Sequence, residues 1–558
     1  MGNFLENVFV EMQKAADRVV LREVRGQEFF SVSGKQLLDQ VCNARAYVRR
    51  SDVKPGDRCA ILGQNSVSWT AIDLALMAEG AIVVPLYSRQ AAAELVVMLR
   101  DSAPKLLFVS EAALGDAVAQ VWPEAPTRVL FEEALKTSAD SKDVSPLPIT
   151  RTENDLVTII YTSGTSGEPK GVCLNFKNLN FMLGCTTGWM DRLELNDHEP
   201  LRVFQYLPFN FAASWIVMMS CLSRETILSL STDLNRVADE ILLTAPNYFF
   251  NVPTLLERVR RGVEEAIGKR DSAIQAIYRN ACAAWKRGQS KKNRFIDRLW
   301  LFLGQQFIFG KIRERFGTNL RGLICGSAPL LPETQDFFLM LGIPVWQVYG
   351  LTETCGICTM DDPRIASEPG RVGQTLPGIE MTVGENEEIL VRGPNIFPVY
   401  WNRPEETAKV LRDGWFHSGD QGEVNSTGNW RISGRIKNLI ILNSGHNIAP
   451  EPIEEEIARQ LAGAQQVVVV GNGRGYLCAL VTGTVDAKCA REALDAVNSE
   501  LPHYRQVRNF VMLAQPFTPE SGLLTANGKV RRDAVNAKYC EEIESMYVKN
   551  AAAAGGNR

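Results

Sequence analysis

Short apolar runs separated by polar, glycine-bearing breaks set the rhythm of the first quarter of the chain. Residues 58–62 and 81–86 are continuous apolar stretches of strand length, and residues 69–79 between them have helical spacing. Up to about residue 125 the pattern is therefore alternating strand and helix, which predicts an α/β fold. Leu156, Val157, Ile159 and Ile160 predict another buried strand, and residues 175–190 a helix. Residues 322–325 and 344–349 predict two more strands, each running into a tight turn. In open α/β sheets such strand ends are where ligands bind. Near the carboxy terminus residues 466–470 predict a strand. The segment Gly471-Asn-Gly-Arg-Gly475 lacks Gly-x-Gly-x-x-Gly spacing and reads as a hairpin turn. Residues 137–153, rich in Ser, Asp, Pro and Thr, predict an exposed connection, and residues 551–558 a disordered tail.

Composition narrows the class. A chain of 558 residues, 45% hydrophobic and 22% charged, buries large cores and exceeds one compact domain, so two or three domains are expected. A net charge of −4 argues against nucleic acid as a partner and leaves small molecules. No charged start followed by an apolar run opens the chain, and Glu6 stands where a myristoylation signal needs Ser or Thr, so a cytoplasmic location is expected. The apolar stretches are broken by charge, as at Asp73 and Glu79, or too short, as at 211–222, so none is expected to cross a membrane. The 12 cysteines are scattered through apolar segments and read as buried free thiols. Cys355-x-x-Cys358 has no second pair to complete a zinc site.

The candidate chemistry starts at Tyr161-Thr-Ser-Gly-Thr-Ser-Gly-Glu-Pro-Lys-Gly-Val172. Its glycines let backbone N–H groups converge on one point, and its hydroxyls and Lys170 add donors, which suits phosphate. No Walker A spacing fits it. The segment resembles the signature of the adenylate-forming superfamily of acyl-CoA synthetases, luciferases and peptide-synthetase adenylation domains. The commonest family form has Thr where Ser166 stands. The resemblance extends to Lys54-Pro-Gly-Asp-Arg58, Gln64-Asn-Ser66 and Val84-Pro-Leu-Tyr87. It continues through Gly322-Leu-Ile-Cys-Gly-Ser-Ala-Pro329, Pro344-Val-Trp-Gln-Val-Tyr-Gly-Leu-Thr-Glu-Thr354, Gly414-Trp-Phe-His-Ser-Gly-Asp420, Ile432-Ser-Gly-Arg-Ile-Lys437 and Leu523-Leu-Thr-Ala-Asn-Gly-Lys-Val530.

The resemblance implies a large domain of mixed sheets layered with helices over 1–433, a hinge at 434–437 with Lys437 in it, and a small mobile α+β domain over 438–550. It assigns the ATP phosphates to Thr162, Ser163, Gly164, Thr165, Ser166, Gly167 and Lys170. The adenine and adenylate pocket falls to Gly326, Ser327, Ala328, Gln347, Val348, Tyr349, Gly350 and Ile432, and the ribose to Asp420 and Arg435. Thr352 would meet the adenylate phosphate, Glu353 would hold Mg²⁺, and Lys529 would act in adenylation. Ser444, Gly445, His446 and Asn447 would face CoA after a rotation at the hinge. Tyr206-Leu-Pro-Phe-Asn-Phe211 stands where the family reads Leu-Pro-Leu-x-His, so Phe211 takes the histidine's place beside the acyl pocket.

These assignments imply ATP-dependent joining of a medium- or long-chain fatty acid to CoA through acyl-AMP, with pyrophosphate released. A fatty carboxylate is already ionised at neutral pH and needs no general base. One alternative is an acyl-AMP ligase that loads an acyl carrier protein, and another is a non-catalytic acyl- or nucleotide-binding protein. Residues 258–316 form a basic, amphipathic segment like one found in the long-chain branch, with Lys286, Arg287, Lys291, Lys292, Arg294 and Arg298 preceding two apolar runs. For its stretch 286–309 two readings stand: a solvated helical face, or peripheral contact with anionic lipid or a phosphorylated carrier.

Overall fold

The apolar run at 58–62 becomes the strand Arg58–Gly63, flanked in parallel by Ile82–Tyr87 and Leu106–Val109. The computed structural model describes residues 3–138, 140–141, 144–145, 147–163, 169–193, 200–290, 292, 294–317, 319–461, 463–518, 521–525 and 528–554. Among these, Arg58–Gly63 lies inside a six-stranded sheet that ends on Leu156–Ser163 and the antiparallel Pro169–Asn175. A nine-stranded sheet holds, side by side and parallel, Val345–Tyr349, Gly322–Cys325, Tyr248–Asn251, Leu201–Gln205, Thr226–Leu230 and Val19–Arg25. Antiparallel strands close both of its edges. Burial on both faces explains the apolar runs at Arg58–Gly63, Ile82–Tyr87 and Gly322–Cys325.

Helices fill the layers between the sheets. Val67–Ala78 has every residue but Ser68 buried, consistent with its largely apolar sequence. The predicted helix at 175–190 is Phe176–Asp191, started by Asn175, whose side chain accepts from the Asn178 backbone N–H at 3.0 Å. A five-stranded antiparallel sheet follows, in which Trp415–Val424 pairs with Trp430–Arg435 and sets Asp420 opposite Arg435.

Beyond it stands the small α+β unit. Ala464–Val470 and Leu477–Gly483 are antiparallel around the turn at 471–475, Val507–Leu513 pairs in parallel, and Glu451–Gln460 and Ala487–Glu500 pack on the sheet. Among the described residues the apolar clusters of this unit begin at Ile440 and those of the larger unit end with Ile432, so no cluster spans both.

Two expectations need correction. The connection at 137–153 is not simply exposed: Arg45, itself fully buried, donates to the carbonyls of Ser145 at 2.5 Å and Leu147 at 3.0 Å. Its other bond, to Glu79 at 2.6 Å, leaves that guanidinium fully engaged, so the connection is moored where composition showed only polarity. At the carboxy terminus the helix Cys540–Ala554 runs into the stretch expected to be disordered, and 555–558 lie outside the described residues. No described helix is long and apolar enough to cross a membrane.

Candidate active site

Tight turns at two adjacent strand ends shape the centre. After Gly322–Cys325 the chain needs Gly326, because a Cβ there would lie 2.5 Å from Val348 Cγ2. Ser327 then sits at φ +77°, a strained left-handed conformation for a residue with a side chain. After Val345–Tyr349, Gly350 is squeezed against the next loop, with a Cβ due 2.5 Å from the Gly356 carbonyl. Together these turns carry the chain into a short 3₁₀ segment, Thr352–Thr354, that presents Glu353.

The Glu353 carboxylate accepts from the Tyr400 hydroxyl at 2.8 Å, and its carbonyl accepts from the Phe397 N–H at 2.9 Å. Asp420 is buried, accepting from Arg435 Nε at 2.7 Å and from the Tyr349 hydroxyl at 2.8 Å. Lys170, largely buried, reaches Glu406 at 2.5 Å and lies 5.4 Å from the centre of the Tyr400 ring. This fixes the Lys170 end of the phosphate segment, and the backbone of Thr162 pairs with that of Lys170. Gly164, Thr165, Ser166 and Gly167 lie outside the described residues, as does the Ser163 side chain.

Lys529 arrives from the small unit on a hairpin held by the Thr525 hydroxyl, which accepts its N–H at 3.0 Å. Its ammonium stands in the field of Arg435, Asp420, Glu353 and Lys437. Crowding by protein pulls it down to about 8, Arg435 pushes the same way, and Asp420 and Glu353 oppose. Lys529 nonetheless keeps an exposed side toward the cleft. Lys437, in the 3₁₀ turn Ile436–Asn438, is lowered chiefly by desolvation and then by Arg435. The neighbouring Arg531 bonds Glu94 of the large unit at 2.6 Å, clasping the Lys529 hairpin over the site.

Directly after Glu353, Cys355, Gly356 and Ile357 enter the wall of an apolar cavity with about 50 Å³ of free volume, closed also by Trp189, Ile216 and Phe250. That space is far less than a long acyl chain fills. Phe211 stacks on Phe250 with centroids 6.1 Å apart, which places it beside this wall. Strand alternation divides the segment 347–350. Val348 faces the cavity. The Gln347 amide is buried against Gln335 Oε1 at 2.7 Å and does not open to a cleft. Ile432 is half-buried on the strand bearing Arg435. Ser444, Gly445, His446 and Asn447 are exposed on the turn between Ile440–Ile441 and Asn447–Ile448. There Ser444 bonds His446 at 2.9 Å and His446 stacks on Tyr504.

Sequence reading missed Tyr400, Glu406, Glu94 and Arg531. Only Tyr400 carried a signal, an aromatic pair with Trp401 following Gly393-Pro394. Cys355 and Cys358 are free, buried thiols pushed up by desolvation, Cys358 to about 12. Among the described residues no three acidic, cysteine or histidine side chains gather as a metal cage. A single carboxylate at Glu353 nevertheless fits Mg²⁺, which keeps most of its waters and shares substrate phosphates.

Comparison with known proteins shows the family. The family model described as AMP-binding enzyme matches residues 8–401, and that of the AMP-binding enzyme C-terminal domain matches 437–551. A protein of Mycobacterium bovis named long-chain-fatty-acid–CoA ligase FadD15 is 27% identical over 98% of this chain and 97% of its own. An Arabidopsis thaliana protein named long-chain-fatty-acid–[acyl-carrier-protein] ligase AEE15, chloroplastic, is 26% identical over 96% of this chain and 85% of its own. Among solved structures, the A domain of carboxylic acid reductase from Segniliparus rugosus, in complex with AMP and a co-purified carboxylic acid, superposes with a TM-score of 0.77. It is 21% identical and covers 98% of this chain and 94% of its own, a likeness of fold.

Proposed function

This chain belongs to the AMP-binding enzyme family, and from that membership we propose its reaction and the residues that carry it. It is an AMP-forming acid–thiol ligase that joins a fatty acid to CoA at the expense of ATP. One observation carries the residue assignment: Glu353 from the end of the nine-stranded sheet, Asp420 and Arg435 from the five-stranded sheet and Lys529 from the small unit converge beside the apolar cavity.

The acyl chain enters past Phe211 and widens that small cavity as it does so, leaving its carboxylate at the rim. Asp420 and Arg435 hold the ribose, one accepting and one donating. Thr162 to Gly167, Lys170 and Thr352 bind phosphate oxygens, for which Lys170 gives up Glu406. Glu353 would hold Mg²⁺, which would supply charge neutralisation on the phosphate oxygens. The carboxylate attacks the α-phosphorus, forming the acyl-phosphate bond as the bond to pyrophosphate breaks. Lys529 donates to both the carboxylate and the phosphate region, stabilising charge that grows in the transition state. Rotation about 434–437 then withdraws Lys529 and brings Ser444 to Asn447 toward the thiol. The thiol gives its proton to solvent and its sulfur attacks the acyl carbon, forming the thioester as the acyl–oxygen bond to the phosphate breaks and AMP leaves.

The test is incubation with ATP, Mg²⁺ and acids of graded chain length, with and without CoA, following pyrophosphate, AMP and acyl-CoA by mass spectrometry. Acyl-CoA formation from fatty acids is expected. Acyl-AMP that accumulates without acyl-CoA would transfer the reading to a carrier-protein acceptor, the acceptor named for the Arabidopsis relative. No pyrophosphate with any acid would overturn it.

A further inference from the structure

Five large apolar side chains stand in solvent within thirteen residues: Phe295 is 96% exposed, Ile296 50%, Leu299 52%, Phe302 59% and Phe307 51%. A soluble surface scatters such residues singly. These follow helical spacing along Asp297–Gly304 and the π-helical turn Gln305–Phe309. The opposite side of the same ridge is tied down. Asp297, Gly304, Ile308 and Phe309 are buried, Arg287 bonds Asp297 at 2.5 Å, and Gly304 sits against Ala281 of the helix Ser272–Gln289. The extra residue of the π turn lets Phe307 stay on the outer side while the next two side chains go inward. The outward stripe is therefore held rigidly in place by the fold.

Charge surrounds it. Residues 286–315 contain nine lysines and arginines against two acidic residues. Lys292, Arg294 and Arg298 are exposed on the stripe's own flank, and among the described residues none of them has an acidic partner at ion-pair distance. Aromatic and aliphatic side chains projecting from a convex ridge, with cations at its base, match the interfacial zone of an anionic bilayer, where apolar groups enter the acyl boundary and cations meet phosphate. A two-fold contact with a second copy would set this positive patch against itself.

We infer that the ridge formed by residues 292–307 docks the enzyme on anionic membrane surfaces by inserting Phe295, Leu299, Phe302 and Phe307. The inference stands apart from the reaction: it needs no turnover, and failure of one leaves the other standing. Phosphatidylcholine vesicles with and without phosphatidylglycerol, at low and high salt, test it by co-sedimentation of the full chain. Binding is expected only with the anionic lipid, and it should weaken with salt. Phe295→Ser with Phe302→Ser should weaken it at least tenfold. Lys292→Ala, Arg294→Ala and Arg298→Ala should each cost about fivefold. Ligation of a soluble short-chain acid by these variants should match the parent. In the parent itself, vesicles should slow amide exchange across 294–307. Equal binding to neutral vesicles, no binding, unchanged binding in both sets of variants, or protection confined elsewhere would overturn the inference. So would a dimer that light scattering shows to depend on Phe295 and Phe302.

Discussion

Binding of Mg²⁺-ATP should draw a proton onto Lys529. In the free enzyme protein crowding and Arg435 hold this ammonium down, to about 8, so near pH 9 roughly one site in ten is charged. Phosphate oxygens arriving beside it restore the charged form toward its ordinary value of 10.5. Proton uptake per nucleotide bound then rises from about 0.1 near pH 7 to about 0.9 near pH 9. Lys529 keeps an open side, and water there screens part of the repulsion. A free-state value about a unit higher still leaves uptake of about 0.5 near pH 9. Titration calorimetry in buffers of different ionisation enthalpy measures the uptake directly. Lys529→Met should abolish it. Lys437→Met, which removes the other depressed ammonium nearby, should leave most of it. Uptake near zero in the parent around pH 9, or equal uptake in the Lys529 variant, would refute the placement of Lys529 at the phosphates.

Tyr400→Phe removes one bond to the Glu353 carboxylate, worth about 1.5 kcal/mol or more, and should lower kcat/KM for Mg²⁺-ATP in pyrophosphate exchange by about tenfold while the fold survives. Arg45→Ala frees the 145–147 connection and strips Glu79 of its buried partner. Chemical denaturation should show a loss of about 3 kcal/mol or more. Burial pushes Asp73 up to about 7 despite the Trp215 indole N–H at 2.9 Å. The folded protein thus keeps a proton that the unfolded chain releases above its ordinary value. Stability should therefore fall, at up to about 1.4 kcal/mol per pH unit, as pH rises from about 4 to about 7. Asp73→Asn, which retains the acceptor but cannot ionise, should flatten that dependence and be the more stable protein above about pH 7.

Local pattern told most about the parallel strands and about residues that sit inside short segments with their own chemistry. Glu353, Asp420, Arg435 and Lys529 were singled out through the resemblance of the runs that carry them to the adenylate-forming signatures, and the fold brings the four into one electrostatic neighbourhood. Tyr400 was not, since its hydroxyl matters only through Glu353, 47 positions away in sequence. Lys170 was read as a phosphate ligand, and its resting bond to Glu406 is likewise a tertiary fact. Gln347 shows a limit of a different kind. Period-two alternation puts it with Tyr349 on the face opposite Val348, yet its amide is taken up by Gln335, a tertiary pairing that the strand itself does not announce.

The separation of apolar clusters between Ile432 and Ile440 bears on the rotation proposed about residues 434–437. Contacts across it include Arg531 to Glu94 at 2.6 Å, Arg459 to Glu333 at 3.2 Å and Arg261 to the Ala464 carbonyl at 2.9 Å. The proposed lifting of the small unit would break such bonds and open no buried apolar cluster shared by the two units among the described residues, so it should carry little heat-capacity change. The balance between the two arrangements should then be nearly flat with temperature and steep with ionic strength. Salt, more than warmth, would set how long the enzyme dwells before each half of its cycle.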